Sequence, residues 1–178
     1  MTRMEKTAMA AMAVSFLLLA AAASRSFVLS RRPDPATVPL MKMGETVKLP
    51  GSSTGAARAT LVMVLSSQCS YCIHDVPFYK QLSGLRASSG GALRLVAVLP
   101  EKTASAAAFL GSSSVNTDEV LSMAPRELGV QLLPTLLLID EHGKLERYWV
   151  GELDQGRQQE IFSVLQASCA ACRVPREQ

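Results

Sequence analysis

The amino-acid sequence predicts an α/β domain in which a central mixed β-sheet is flanked by helices. Short apolar runs of strand type alternate with segments of helical pattern through the middle of the chain. The last two of these runs are separated by the turn 141–143, which predicts a hairpin and so an antiparallel pair. With 178 residues, of which 48% are apolar, the chain is long enough to bury a core.

The predicted elements follow the order β-α-β, further helix, then β-β-α. A short alternating pattern at 44–50 indicates an edge strand. Further strands are expected at the apolar runs 59–65, 93–99, 135–140 and 144–150. Helices are expected from the end of the first run to residue 86, and at 103–110, 118–128 and 154–168. Thr117 or Asp118 is the expected N-cap of the third helix.

Positive charge is concentrated at the N-terminus. The formal net charge is +3, but residues 1–32 hold five basic residues and one acidic residue. Residues 33–178 hold 13 basic and 14 acidic residues, so the body of the protein is nearly neutral. This distribution excludes nucleic acid as an expected partner, because its recognition needs a basic surface.

The N-terminal segment 1–30 is predicted to be a signal peptide or membrane anchor. A 16-residue apolar run at 8–23 follows Arg3 and Lys6 and ends in small residues, as a secretory signal does. The body is therefore expected in the periplasm or another extracytoplasmic compartment. The run is shorter than the roughly 20 residues of a membrane span. An uncleaved membrane tether and a buried core helix are the alternatives.

Three further segments complete the predicted organisation. Residues 31–57 contain four prolines and a Gly- and Ser-rich stretch, which predicts a linker and N-terminal extension. Residues 58–168 form the predicted folded domain, and residues 169–178 a C-terminal tail.

The motif Cys69-Ser70-Tyr71-Cys72 lies between the first predicted strand and the first helix. This spacing at a helix start brings two sulfurs within disulfide reach. The helix N-terminus stabilises a thiolate at Cys69, which predicts Cys69 as the nucleophile and Cys72 as the resolving cysteine. An inert structural disulfide is the alternative.

Metal and haem sites are disfavoured at this motif, and neither a metal nor a cofactor is expected. A zinc site needs two further ligands, and the other cysteine pair begins 97 positions after Cys72. Haem attachment needs a histidine after the second cysteine, where this chain has Ile73.

Asp75 is the predicted proton acceptor for Cys72. On a helix it shares an apolar face with Phe78, Leu82 and Leu85, so partial desolvation is expected to raise the pKa of its carboxyl group. A solvated acid is the alternative. His74 is expected at the surface, and Pro77 is expected to kink the helix.

Leu133 and Pro134 are the predicted substrate-binding residues. A proline that enters a strand is unusual, and a cis bond explains it. Such a turn places backbone groups opposite Cys69, where an extended substrate segment can pair with them. An ordinary turn is the alternative.

Together these motifs resemble the thioredoxin superfamily, and within it the TlpA-like and ResA-like exported thiol-disulfide oxidoreductases. The resemblance runs from about Thr60 to Leu165. It implies a thioredoxin-like three-layer fold, attack by Cys69, resolution by Cys72, assistance from an acid at Asp75 and a cis proline at Pro134. Residues 40–57 and 103–128 then fill the family's N-terminal extension and central insertion.

The chain departs from the family pattern around the cysteines. Gln68 stands where the family usually has tryptophan, Asp75 replaces a glutamate, and Ser70-Tyr71 replaces a dipeptide that usually ends in proline. These changes alter the surface around Cys69 and leave the thiol chemistry itself in place.

The resemblance further implies that the protein reduces disulfides of envelope proteins, with electrons from a membrane thiol carrier. A disulfide oxidase or isomerase and a non-enzymatic peptide-binding module are the alternatives. Cys169 and Cys172 form a second C-x-x-C. This pair is interpreted as a structural disulfide or free thiols, with a second redox pair or a lipid or metal accessory site as the other possibilities.

Overall fold

The computed structural model describes residues 41–50 and 57–168 of the chain. All of them belong to the unit that runs from Val38 to Gln178. The predicted leader at 8–23 and the pair Cys169 and Cys172 lie outside the described residues. Within the described ranges, every helix is too short or too polar to cross a membrane.

Among the described residues, five strands form one mixed sheet. They are β1 (Ala59–Val64), β2 (Leu93–Leu99), β3 (Glu119–Ser122), β4 (Thr135–Asp140) and β5 (Leu145–Val150). Their spatial order is β3-β2-β1-β4-β5. The pairs β1–β2 and β2–β3 are parallel, whereas β1–β4 and β4–β5 are antiparallel. The mixed sheet and the hairpin are therefore confirmed, and the predicted edge strand is reduced to one bridge between Thr46 and Lys144.

In the part of the chain that the structure describes, four α-helices and one short 3-10 helix accompany the sheet. They are α1 (Ser70–His74), α2 (Val76–Ser88), α3 (Thr103–Ser112), α4 (Gln155–Ser168) and the 3-10 helix Pro125–Leu128. From β1 to β2 and from β2 to β3, the chain moves one strand toward the same edge of the sheet. Right-handed crossovers therefore place α1, α2 and α3 on the same face.

Alternating side chains of the central strand divide the core into two clusters. Leu61 and Met63 of β1 pack with the helices, whereas Val62 and Val64 point to the opposite face. That opposite face is covered by apolar residues of the segment 41–50 and of the 3-10 helix. The sheet is thus the middle of three layers, as the sequence predicts.

The prediction of a helix at 118–128 is wrong. This segment forms β3 and the 3-10 helix instead. Asp118 does not cap a helix, because its carboxylate accepts a hydrogen bond from the Leu95 N–H at 2.8 Å and pairs with Arg86. Pro125 begins the 3-10 helix, where its missing N–H costs no hydrogen bond.

The single helix predicted after β1 is divided at Asp75. The Asp75 N–H closes α1 by donating to the Tyr71 carbonyl at 3.0 Å. The Asp75 carbonyl then opens α2 by accepting from the Phe78 N–H at 3.0 Å. Pro77 lies in the first turn of α2, so the irregularity takes the form of a break at Asp75 before the proline.

Candidate active site

The predicted site residues meet at one edge of the sheet. Val64 at the end of β1 pairs with Thr135 at the start of β4. The loop that carries Cys69 therefore leaves the sheet beside the turn that carries Pro134. The Leu133–Pro134 peptide bond is cis, as predicted, and the Pro134 carbonyl accepts a hydrogen bond from the Gly151 N–H at 2.8 Å.

Cys69 is the N-cap residue of α1. Its backbone is extended, with φ −90° and ψ 114°, and its Sγ accepts a hydrogen bond from the Cys72 N–H at 3.2 Å. The side chain is partly exposed, and its sulfur is not bonded to that of Cys72. A backbone donor aimed at a sulfur stabilises a thiolate more than a thiol, so the geometry suits a nucleophile at this position.

Cys72 lies one turn further along and is fully buried. Burial raises the pKa of the Cys72 thiol well above its usual range, and the hydrogen bond with Cys69 adds to this effect. The two cysteines thus differ sharply in exposure. Cys72 stays protonated at neutral pH and needs a base nearby before it can attack.

Asp75 lies three residues after Cys72 and is only 2% exposed. Its Oδ1 lies 3.2 Å from His74 Nδ1, and its Oδ2 accepts a hydrogen bond from the Leu153 N–H at 3.3 Å. Burial raises the pKa of Asp75, although both contacts stabilise the charged form. Such burial does not fit a solvated surface acid, and a raised pKa suits a group that takes and returns a proton.

His74 is exposed, as predicted, with a side chain 76% accessible. Its contact with Asp75 is not apparent from helical periodicity, because it arises where the helix breaks. The histidine therefore joins a buried carboxylate to the solvent.

Tyr79 is a buried polar residue that sequence reasoning missed. The side chain is fully buried, and its hydroxyl has no hydrogen-bond partner among the described residues. Burial raises the pKa of Tyr79 well above its usual range. The phenol is consequently neutral at all working pH values.

Glu101 is a second residue that the sequence analysis missed. It follows β2, and its carboxylate contacts Ser66 and Ser67, which follow the neighbouring parallel strand β1. The signal for this contact is that polar residues directly follow two apolar runs, because neighbouring parallel strands end at the same edge of a sheet.

The surface beside Cys69 carries two apolar side chains. Tyr71 is 40% exposed and Ile73 is 51% exposed.

Within residues 41–50 and 57–168, histidine, cysteine and acidic residues form no group of three or more that is arranged to hold a metal ion.

Comparison with known proteins identifies the fold. No family model and no curated protein matches the chain. Solved structures do match. A candidate thiol:disulfide interchange protein DsbE from Chlorobium tepidum is 22% identical, with a TM-score of 0.60, over 72% of this chain and 99% of that one.

Two further solved structures agree with this match. The thioredoxin domain of a thiol-disulfide oxidoreductase from Bacteroides vulgatus is 12% identical, with a TM-score of 0.53, over 70% of this chain and 98% of that one. A thiol-disulfide isomerase from Corynebacterium glutamicum is 14% identical, with a TM-score of 0.52, over 80% and 99%. The chain has a thioredoxin-like fold, as its sequence predicts.

Proposed function

We propose that the protein is a thiol-disulfide oxidoreductase that reduces disulfides in other proteins through Cys69 and Cys72. The observation that carries this proposal is the unequal placement of the two thiols. The Cys69 sulfur is partly exposed and accepts the Cys72 N–H, whereas Cys72 is fully buried. A substrate can reach one sulfur, and the other is kept for the second step.

In the first step the Cys69 thiolate attacks one sulfur of a substrate disulfide. The substrate S–S bond breaks, and a mixed disulfide with Cys69 forms. The other substrate sulfur leaves as a thiolate and takes a proton from water. The Cys72 N–H stabilises the attacking charge before the reaction.

In the second step Cys72 attacks the Cys69 sulfur. Asp75 takes the Cys72 proton, the mixed disulfide breaks, and the second substrate sulfur leaves as a thiolate that takes a proton from water. Two electrons have then passed from the protein dithiol to the substrate, and Cys69 and Cys72 form a disulfide.

Substrate recognition is proposed at the turn that carries Leu133 and Pro134. The turn lies at the same edge of the sheet as Cys69, which supports pairing with an extended substrate segment. The apolar run at 8–23 supports a location in the cell envelope, with or without a membrane tether. Substrates are then disulfide-bearing envelope proteins, and a membrane thiol carrier returns the electrons.

Insulin reduction tests the proposal. The wild-type protein is expected to speed the precipitation of insulin chains in dithiothreitol over dithiothreitol alone, and C69S is expected to lose this effect. Faster oxidation of a reduced substrate without insulin reduction would establish the oxidase alternative. A folded wild-type protein that catalyses neither reaction contradicts the proposal and leaves a peptide-binding module.

A further inference from the structure

The Glu101 carboxylate gathers three hydrogen bonds on a single oxygen. Its Oε1 accepts from Ser66 Oγ at 2.8 Å, from the Ser67 N–H at 2.7 Å and from Ser67 Oγ at 2.8 Å. Its Oε2 is buried without a hydrogen-bond partner among the described residues. A carboxylate in this position depends on those three donors, because its other oxygen has given up water and gained no partner.

The charge of Glu101 is maintained by the same contacts. Burial opposes ionisation, but the hydrogen bonds from Ser66 and Ser67 outweigh it and lower the pKa of Glu101. The carboxylate is therefore charged throughout the neutral range, and its bonds to the loop are charge-assisted.

Ser66 links this carboxylate to the start of the cysteine motif. The Ser66 carbonyl accepts a hydrogen bond from the Cys69 N–H at 3.2 Å, and the Cys69 Sγ in turn accepts from the Cys72 N–H at 3.2 Å. Ser66 Oγ, besides donating to Glu101, accepts from the Gln68 N–H at 3.1 Å. Ser66 and Ser67 are thus bonded to Glu101 directly, and Gln68 and Cys69 are each linked to it through Ser66.

We propose that Glu101 is the positioning residue of the cysteine pair: by clamping Ser66 and Ser67 it holds the loop in the arrangement that favours the dithiol form. This inference rests on the proposed function, because it assigns Glu101 to the same two cysteines. Glu101 touches no reacting atom and acts through Ser66. By holding the Cys69 backbone, the clamp keeps the arrangement in which the unbonded Cys69 sulfur accepts the Cys72 N–H, so loosening the clamp destabilises the dithiol relative to the disulfide.

The test measures the dithiol–disulfide equilibrium of Cys69 and Cys72 against glutathione. E101Q keeps the side-chain size but offers a neutral acceptor, and S66A removes the donor that leads to the cysteines. Each is expected to shift the equilibrium about tenfold toward the disulfide, a size typical of losing charge-assisted hydrogen bonds. The double variant E101Q/S66A is expected to shift it no further, because the two residues act through one link.

Matched variants separate positioning from general stability. E160Q removes an exposed glutamate from α4 and is expected to leave the equilibrium unchanged. S67A removes one of the three bonds, so it gives a second reading if E101Q does not fold, and a smaller shift in the same direction is expected. The proposal is overturned if S67A shows the wild-type equilibrium. It is also overturned if E101Q has a lower melting temperature than wild type but keeps the wild-type equilibrium.

The glutathione equilibrium needs no protein substrate, so the two proposals fail separately. If wild-type protein does not reduce insulin but E101Q still shifts the equilibrium, the proposed function is wrong and Glu101 remains the positioning residue. If wild-type protein reduces insulin and E101Q leaves the equilibrium unchanged, the assignment of Glu101 is wrong.

Discussion

His74 Nδ1 lies 3.2 Å from Asp75 Oδ1, although the histidine side chain is 76% exposed and that of the aspartate only 1%. The contact crosses the boundary between solvent and core. A buried carboxylate exchanges protons slowly unless a group connects it to water, and His74 occupies that place. The contact stabilises the charged form of Asp75 and places an exposed imidazole beside the buried carboxylate.

Replacing His74 is expected to shift the pH dependence of catalysis. The His74 contact lowers the pKa of Asp75, so H74A should raise that pKa further above its ordinary value. Asp75 must be ionised to accept the Cys72 proton, and the acid limb of the pH–rate profile for insulin reduction should therefore move to higher pH. H142A, which removes the other histidine of the chain, is the control. Superimposable profiles for H74A and wild type would contradict a role for His74.

Replacing Asp75 is expected to slow the second chemical step. Asparagine keeps the shape and can still accept the Leu153 N–H, but it cannot take a proton from Cys72. The rate at which Cys72 resolves a mixed disulfide should fall on the order of a hundredfold at pH 7 in D75N. The measurement is a stopped-flow decay of a preformed mixed disulfide on Cys69. A wild-type rate and an unchanged pH profile would show that Asp75 takes no part.

The stability of D75N provides the control for this variant, and the pKa of Asp75 fixes the direction in which that stability should change. The pKa of Asp75 is higher in the folded chain than its ordinary value of 3.8, so the native state binds this proton more tightly than the unfolded state does. Its contribution to stability is complete below the ordinary pKa and is lost as pH rises through the folded pKa. D75N lacks this loss, so thermal melts should show it at least as stable as wild type at pH 7. If D75N instead melts at a lower temperature than wild type, its slow rate is explained by unfolding.

The Tyr79 hydroxyl is expected to contribute little to stability. It is buried without a partner among the described residues, and such a group costs free energy when it leaves water. Y79F should therefore be as stable as wild type or more stable, by up to about 1 kcal/mol in urea unfolding. A loss of about 1 kcal/mol or more would show that the hydroxyl is hydrogen-bonded in solution.

The second cysteine pair is expected to be dispensable for turnover. Cys169 and Cys172 lie beyond the resemblance that carries the catalytic assignment, which favours a structural disulfide or free thiols. C169S/C172S should reduce insulin at the wild-type rate, whereas C69S/C72S should be inactive. A turnover defect in C169S/C172S with normal folding would instead assign an electron relay to this pair.

Much of the fold follows from local patterns in the sequence. The runs at 93–99 and 135–140 match β2 and β4 in full, because both strands are buried on both faces and so read as continuous apolar stretches. The segment 118–128 lacks such a pattern, because its strand β3 is only four residues long and no residue of it is fully buried. Its strand exists through pairing with β2, and a tertiary contact of Asp118 replaces the expected cap.

The site was predictable where its residues are close in sequence, and less so where they are not. The C-x-x-C spacing and the apolar face around Asp75 point to Cys69, Cys72 and Asp75 as candidates within a span of seven residues. Glu101 lies more than 30 positions from Ser66 and Ser67, and only the pairing of β1 with β2 brings them together. The break at Asp75 was also hidden, since a continuous helix satisfies the same apolar pattern.

The central claim, attack by Cys69 and resolution by Cys72, is tested most directly by trapping the mixed disulfide. C72S, in a C169S/C172S background that removes the other thiols, is incubated with a disulfide-bonded peptide and analysed by intact mass under non-reducing conditions. We expect a covalent adduct of one peptide half on Cys69, which dithiothreitol releases and which C69S/C72S in the same background does not form. A folded C72S protein that forms no adduct would contradict it.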